Sequence, residues 1–172
     1  RHFDLSPEEV AQLDSHEVYD LYGFCYANAY YQLKDVGNKW SDMNWVMNVD
    51  GAPKGAKVLR AVSAIDNVPV KGVNRSGRAE EYSVEKHATV ETIDLSATGI
   101  SKINDWTFGN NKVVKAVLLP KTVTSVGKYA FYGCEALQSI DLSKTEMTVM
   151  DEWAFGYCNS LQEVRLPGKL TE

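Results

Sequence analysis

Apolar and polar positions recur with a fixed period through the C-terminal half of this 172-residue chain. Four runs align as apolar-x-x-apolar-x-apolar: Val90-Glu-Thr-Ile-Asp-Leu95-Ser, Val114-Lys-Ala-Val-Leu-Leu119-Pro, Leu137-Gln-Ser-Ile-Asp-Leu142-Ser and Leu161-Gln-Glu-Val-Arg-Leu166-Pro. The offsets between them are 24, 23 and 24 residues. A second block keeps the same frame: Trp106-Thr-Phe108-Gly, Tyr129-Ala-Phe131-Tyr and Trp153-Ala-Phe155-Gly, each followed three residues after its phenylalanine by Asn111, Cys134 or Cys158. The β-branched content and local alternation of the runs predict short strands, and the aromatic-x-Phe block predicts a turn of helical character. Between them, Gly99-Ile-Ser-Lys-Ile103, Val123-Thr-Ser-Val126-Gly and Met147-Thr-Val-Met150-Asp predict a further extended segment with inward apolar residues.

One such unit cannot bury its own apolar edge, whereas stacked units can. Stacking places Ile93, Val117, Ile140 and Val164 in one ladder, Leu95, Leu119, Leu142 and Leu166 in another, and Phe108, Phe131 and Phe155 in a third. The fold class expected is an α/β solenoid: a right-handed superhelix of parallel strands near Glu91–Leu95, Lys115–Leu119, Gln138–Leu142 and Gln162–Leu166. Side chains alternate across a strand, so the residues between the ladder positions point outward. Those residues are Thr92, Asp94, Ala116, Leu118, Ser139, Asp141, Glu163 and Arg165, a mostly small and polar candidate binding face with one apolar spot at Leu118.

These residues resemble the BspA-type leucine-rich repeats. Leu119-Pro-Lys-Thr-Val-Thr-Ser-Val-Gly-Lys-Tyr-Ala-Phe-Tyr-Gly-Cys134 follows that family's Leu-Pro-x-x-Val-Thr-x-Ile-Gly-x-x-Ala-Phe-x-x-Cys nearly residue for residue. The first unit departs from it, with Thr107 for Ala and Asn111 for Cys. The resemblance spans about residues 90–172: three leucine-rich repeats and the start of a fourth, Leu166-Pro-Gly-Lys-Leu170-Thr-Glu172, which reads as broken off. It implies a non-catalytic protein, secreted or at a cell surface, that binds or adheres to another protein or surface macromolecule. The alternative is a structural spacer or assembly element of a surface filament or layer, self-associating through its open C-terminal end. The family-like position of Cys134 and Cys158 is an inward turn site. Asn111 fills it in the preceding unit, so both thiols are expected to be free although one strand spacing would permit a bridge.

Residues 1–89 read as an N-terminal capping region of helix and short strands. Ser6-Pro7-Glu8-Glu9 has the form of a capping box with proline at the first helical position. Val18, Leu21, Cys25, Ala29 and Leu33 recur at spacings of three and four, predicting a helix through about Lys34 that covers the first repeat. Tyr19, Tyr22, Tyr26 and Tyr30 flank that stripe, more in keeping with packing than with a ligand platform. From Gly37 to Glu81 the pattern is of turns and short strands, among them Lys57-Val-Leu-Arg-Ala-Val-Ser-Ala-Ile65.

Composition narrows the partners. Eighteen basic against 23 acidic residues give a net charge of -5, which argues against a general grip on nucleic acid. No apolar stretch approaches the roughly 20 residues that cross a bilayer. Cys25, Cys134 and Cys158 are too few for a disulfide framework, and none stands in a C-x-x-C pair. His2, His16 and His87 are scattered, and Asp42, Asp50 and Asp66 fit no calcium loop, so neither a metal nor another cofactor is expected. Cys25 lies on the apolar stripe, where a thiol acts as a small hydrophobe rather than as the partner of His16 or His87. Gly51-Ala-Pro-Lys-Gly55 lacks phosphate-loop spacing and loses a donor at Pro53. Trp40 and Trp45 suit sealing the solenoid end better than stacking on sugar, and Asn74-Arg-Ser76 is a glycosylation sequon only in a eukaryotic secretory setting.

Overall fold

The computed structural model describes residues 23–26, 29–35, 43–48, 57–65, 67–74, 90–168 and 170. Within them the repeats wind as a solenoid. β7 (Thr92–Asp94), β9 (Ala116–Leu118), β11 (Ser139–Asp141) and β13 (Glu163–Arg165) are parallel neighbours, aligned as Thr92, Ala116, Ser139 and Glu163. The middle segments form a second parallel sheet of β8 (Lys102–Ile103), β10 (Ser125–Val126) and β12 (Val149–Met150). Between the two sheets the expected ladders are present. Ile93, Leu95, Ile100, Ile103, Val123, Val126, Phe131, Leu142 and Met147 are buried, and the Phe108, Phe131 and Phe155 rings stack at centroid distances of 5.0 and 4.9 Å. The ladder thins at β13: Val164 is half-buried and Leu166 is 51% exposed, with no strand beyond it among the described residues.

The turn between the sheets is not helical. Trp106, Asn110, Tyr129, Trp153 and Tyr157 have φ of 61, 60, 57, 59 and 54°, and Gly133 has 71°. Each coil thus enters the left-handed region at the first and fifth residues of its aromatic block, which interrupts any helix. Alternate amides therefore split their bonding. Thr107 and Gly109 donate back within the coil to Asn104 and Trp106, while Trp106, Phe108 and Asn110 donate across to the carbonyls of Lys128, Ala130 and Tyr132. Phe131 and Gly133 repeat the crossing to Ala154 and Gly156 at 2.7 and 2.8 Å. The turn thereby satisfies its buried amides on the next coil, as a strand would.

No helix occurs among the described residues, and the helical cap is overturned where it can be seen. Gly23–Tyr26 (β1) and Ala29–Asp35 (β2) pair antiparallel with Tyr26 opposite Ala29. Residues 1–22, including the capping box, Val18, Leu21, Tyr19 and Tyr22, lie outside the described residues. The spacing of three and four coincided with a run rich in tyrosine and phenylalanine, which favour a pleated surface. A tertiary contact reinforces that preference: Tyr31 is buried and its hydroxyl accepts from the Val62 amide at 3.1 Å.

β2 continues through Met43–Asn48 (β3) into Val68–Asn74 (β6), which pairs antiparallel with Ala64–Ile65 (β5). Trp45 of β3 is buried and its indole donates to the Ile65 carbonyl at 3.1 Å; Trp40 lies outside the described residues. Backbone bonds and strand pairing among the described residues join this sheet to the solenoid. The Gly99 amide donates to the Val70 carbonyl at 3.0 Å, and Val58–Arg60 (β4) adds to the solenoid sheet, parallel to β7. The sheet order is therefore β13-β11-β9-β7-β4, and the repeat surface starts with a strand from outside the recognisable repeats. Tyr31 and Trp45 belong to the same apolar core as Phe131 and Ala154.

Truncating Phe131 to alanine removes the ring that stacks on both neighbours. It should cost about 3–5 kcal/mol in urea unfolding, and a loss under about 1 kcal/mol would place the ring outside the core. A Cβ on Gly133 would stand 2.6 Å from the Asn110 Oδ1, at a φ of +71°, whereas one on Gly168 would meet nothing within 4 Å. Gly133→Ala is expected to destabilise by about 1–2 kcal/mol and Gly168→Ala to leave the melting temperature unchanged.

Candidate functional site

The eight outward positions, joined by Val58 and Arg60 of β4, form two rows across the parallel sheet. Val58, Thr92, Ala116, Ser139 and Glu163 make one row, and Arg60, Asp94, Leu118, Asp141 and Arg165 the other. Their neighbours Leu59, Ile93, Val117 and Ile140 turn inward and are buried. Thr92, Asp94 and Ala116 are half-buried, while Leu118, Ser139, Asp141, Glu163 and Arg165 are exposed. The alternation of inward and outward residues therefore holds along β7, β9, β11 and β13.

Two of the acidic residues are held by their own turns. Asp94 Oδ1 accepts from the Ser96 amide at 3.0 Å and hydroxyl at 2.6 Å; Asp141 Oδ1 accepts from the Ser143 amide and hydroxyl at 2.9 and 2.6 Å. The alternate coils read Leu-Leu-Pro and Arg-Leu-Pro, where proline offers no amide to cap. Aspartate occurs on this row only where a serine follows two residues later. Those positions of the face are thus chosen partly by turn chemistry.

Burial pushes the Asp94 carboxyl up, and the bonds from Ser96 with the Arg60 guanidinium at 3.3 Å outweigh it and hold it below the ordinary aspartate range. The Ser143 hydroxyl and amide hold Asp141 low, helped by Arg165 and Lys144. Both shifts run away from the neutral range in which a general base works. Glu163 bonds Arg165 at 2.7 Å and raises its pKa, and Glu91 stands 3.9 and 3.6 Å from Lys57 and Lys115. Among the described residues no cluster of three metal-ligating side chains occurs, and no helix is long and apolar enough to cross a membrane.

Cys134 and Cys158 are not bridged to each other, and each donates to the phenylalanine carbonyl of the preceding coil, Phe108 or Phe131, at 3.1 Å. Asn111 occupies the equivalent place differently, accepting from the Val113 and Val114 amides at 3.2 and 3.1 Å. Burial pushes the Cys158 thiol up, which disfavours the reactive thiolate.

Two features of the surface were not evident from the repeat pattern. A recess of about 220 Å³ opens beside Leu118, lined also by Ser96, Leu119, Lys121, Asp141 and Lys144. The signal for it was present, since Lys121 and Lys144 hold equivalent places after Leu-Pro and Leu-Ser, but only stacking sets them side by side. The second feature is a row of aromatic rings along the turns. Trp106 stacks on Tyr129 at 4.7 Å, and Tyr132 meets Trp106, Tyr129 and Tyr157 edge-on. Its inner rings are occupied with one another. Trp106 and Trp153 lie against Gly109 and Gly156, where a Cβ would come within 2.6 and 2.8 Å of the indole, whereas Tyr129 is followed by Tyr132.

Stacked coils with a parallel sheet along one side define a leucine-rich-repeat-like solenoid. The BspA type leucine rich repeat region (6 copies) matches residues 80–172, more than half of the sequence, and the chain belongs to that family. A leucine-rich repeat protein from Bacteroides capillosus is similar over 85% of this chain and 99% of its own, with a TM-score of 0.61 at 15% identity. The pneumococcal vaccine antigen PcpA is similar over 90% of this chain, with a TM-score of 0.57 at 16% identity. The chain spans 40% of that antigen's length. At these identities the likeness is one of fold. No curated protein matches the chain.

The linkage at Asp141 gives a test. A carboxyl held low stabilises the fold above the unfolded aspartate pKa of about 3.9 and loses that contribution as pH falls through the lower folded value. Carboxyl-carbon NMR titration should find Asp94 and Asp141 below the ordinary aspartate range, and Ser143→Ala should raise Asp141 while leaving Asp94 in place. Equal values before and after the substitution would remove the turn from the explanation.

Proposed function

We propose that the chain is a protein-binding repeat module that works outside the cell or at its surface, with the outward face of the β4-β7-β9-β11-β13 sheet as the contact surface. The observation that carries this reading is the ordering of that face. Ten side chains stand in two registered rows, and Asp94, Asp141, Glu163 and Arg165 are already fixed by bonds within the chain. A face whose polar groups are ordered before contact loses less side-chain entropy on binding. Membership of the family supports the binding role, and the pneumococcal vaccine antigen among its structural relatives supports a surface location. The adhesive role is a binding role rather than a reaction. Its titratable groups serve as fixed partners for a macromolecule, not as acids or bases.

A photo-cross-linking side chain placed at Ser139, on this face, and separately at Thr124, which is exposed beside β10 of the other sheet, compares the two sides of the solenoid. Against host and microbial surface proteins, the Ser139 derivative should form discrete protein adducts and the Thr124 derivative none. Adducts from Thr124 alone, or from neither position, would refute the assignment.

A further inference from the structure

The recess beside Leu118 combines an apolar wall with two exposed lysines. Leu118 is 48% exposed, although its neighbours along the row are Asp94 and Asp141. Leu119, half-buried, extends the apolar surface into the recess. Lys121 and Lys144 rim it from adjacent coils, both exposed, and among the described residues neither forms an ion pair. Of the nearby acids, Asp94 is bonded by Ser96 and Arg60 and Glu163 by Arg165, while Asp141 is bonded by Ser143 and attracts Lys144 without an ion-pair contact. In a chain of net charge -5, the lining of this recess sets two ammonium groups against one carboxylate, beside an exposed leucine.

We propose that this recess docks an extended acidic peptide segment of a protein partner, seating one aliphatic side chain against Leu118 and placing neighbouring carboxylates on Lys121 and Lys144. The inference rests on the sheet-face reading above and names the partner's chemistry. At about 220 Å³ the recess suits a single side chain, being smaller than the roughly 300–1,000 Å³ clefts that enclose drug-sized ligands. Charge complementarity selects carboxylates, and the apolar wall separates a peptide from a polyanion that has charge alone. A second recess of about 180 Å³, one coil further along and lined by Ser139, Ile140, Asp141, Glu163 and Arg165, carries two carboxylates against one guanidinium, so the acidic segment is confined to the first.

The test uses the full chain, nitrogen-15 labelled, titrated with an acetylated peptide carrying a central leucine between glutamates. Parallel titrations use the glutamine analogue, the alanine analogue and a heparin oligosaccharide. Amide shifts should centre on Ser96, Leu118, Lys121, Asp141 and Lys144, and both analogues should bind more weakly. Lys121→Gln and Lys144→Gln should each weaken the acidic peptide roughly threefold, with the melting temperature unchanged because both side chains are exposed. Leu118→Ser should weaken it as well. Shifts that are absent or centred elsewhere, equal binding of the glutamine analogue, or oligosaccharide binding that matches the peptide and ignores Leu118→Ser would each overturn the proposal. If Ser139 adducts persist unchanged in the Lys121→Gln, Lys144→Gln double variant, the sheet-face reading stands and this inference alone falls.

Discussion

Every coil of this protein must present the next with the same surface, and the stacked phenylalanines are where that constraint is tightest. Phe108, Phe131 and Phe155 lie ring on ring at 5.0 and 4.9 Å, and the backbone around them sends alternate amides to the following coil. A coil of different path would lose the aromatic contact and the inter-coil bonds together, leaving amides unsatisfied in an apolar interior. The left-handed residues are the cost of keeping that path. Aromatic side chains at positive φ, as at Trp106, Tyr129 and Trp153, are unusual and persist because the coils above and below hold them.

Within that frame the coils vary by local compensation. A tryptophan in the left-handed position is followed three residues later by glycine, whose missing Cβ admits the indole; where tyrosine stands instead, another tyrosine fills the space. On the sheet side, aspartate accompanies serine and a different residue accompanies proline. These substitutions leave the core ladders untouched, so the outward face can change from coil to coil without disturbing the stack. That independence is what makes a solenoid serviceable as a recognition surface. Here it has left a leucine between two self-satisfied aspartates, with two lysines beside it.

The repeats were legible because the signal is long-range and redundant: two blocks in one frame, recurring with a nearly constant offset. The candidate face followed from side-chain alternation alone. The first 35 residues were misread where they can be compared. Spacing over Cys25, Ala29 and Leu33 satisfied a helical template, but the antiparallel pairing of β1 with β2 and the burial of Tyr31 against the Val62 amide made the segment a hairpin. A short amphipathic pattern cannot distinguish these outcomes, because the deciding energy lies in contacts with residues far along the chain.

The sequence by itself determined the coil: its period, its inward ladders, its outward rows and the turn positions where the chain doubles back. These are properties of one unit and its copies, so comparison within the chain exposes them. Only the tertiary structure decided how the first repeat is covered, by β4 from a segment with no repeat signature, and that Trp45 bonds to Ile65. It alone set Lys121 beside Lys144 at the mouth of a recess. Periodicity fixes which way a residue faces within its own coil. Which residues meet across coils, and which charges stay unpaired there, depends on distances that exist only once the coils are stacked.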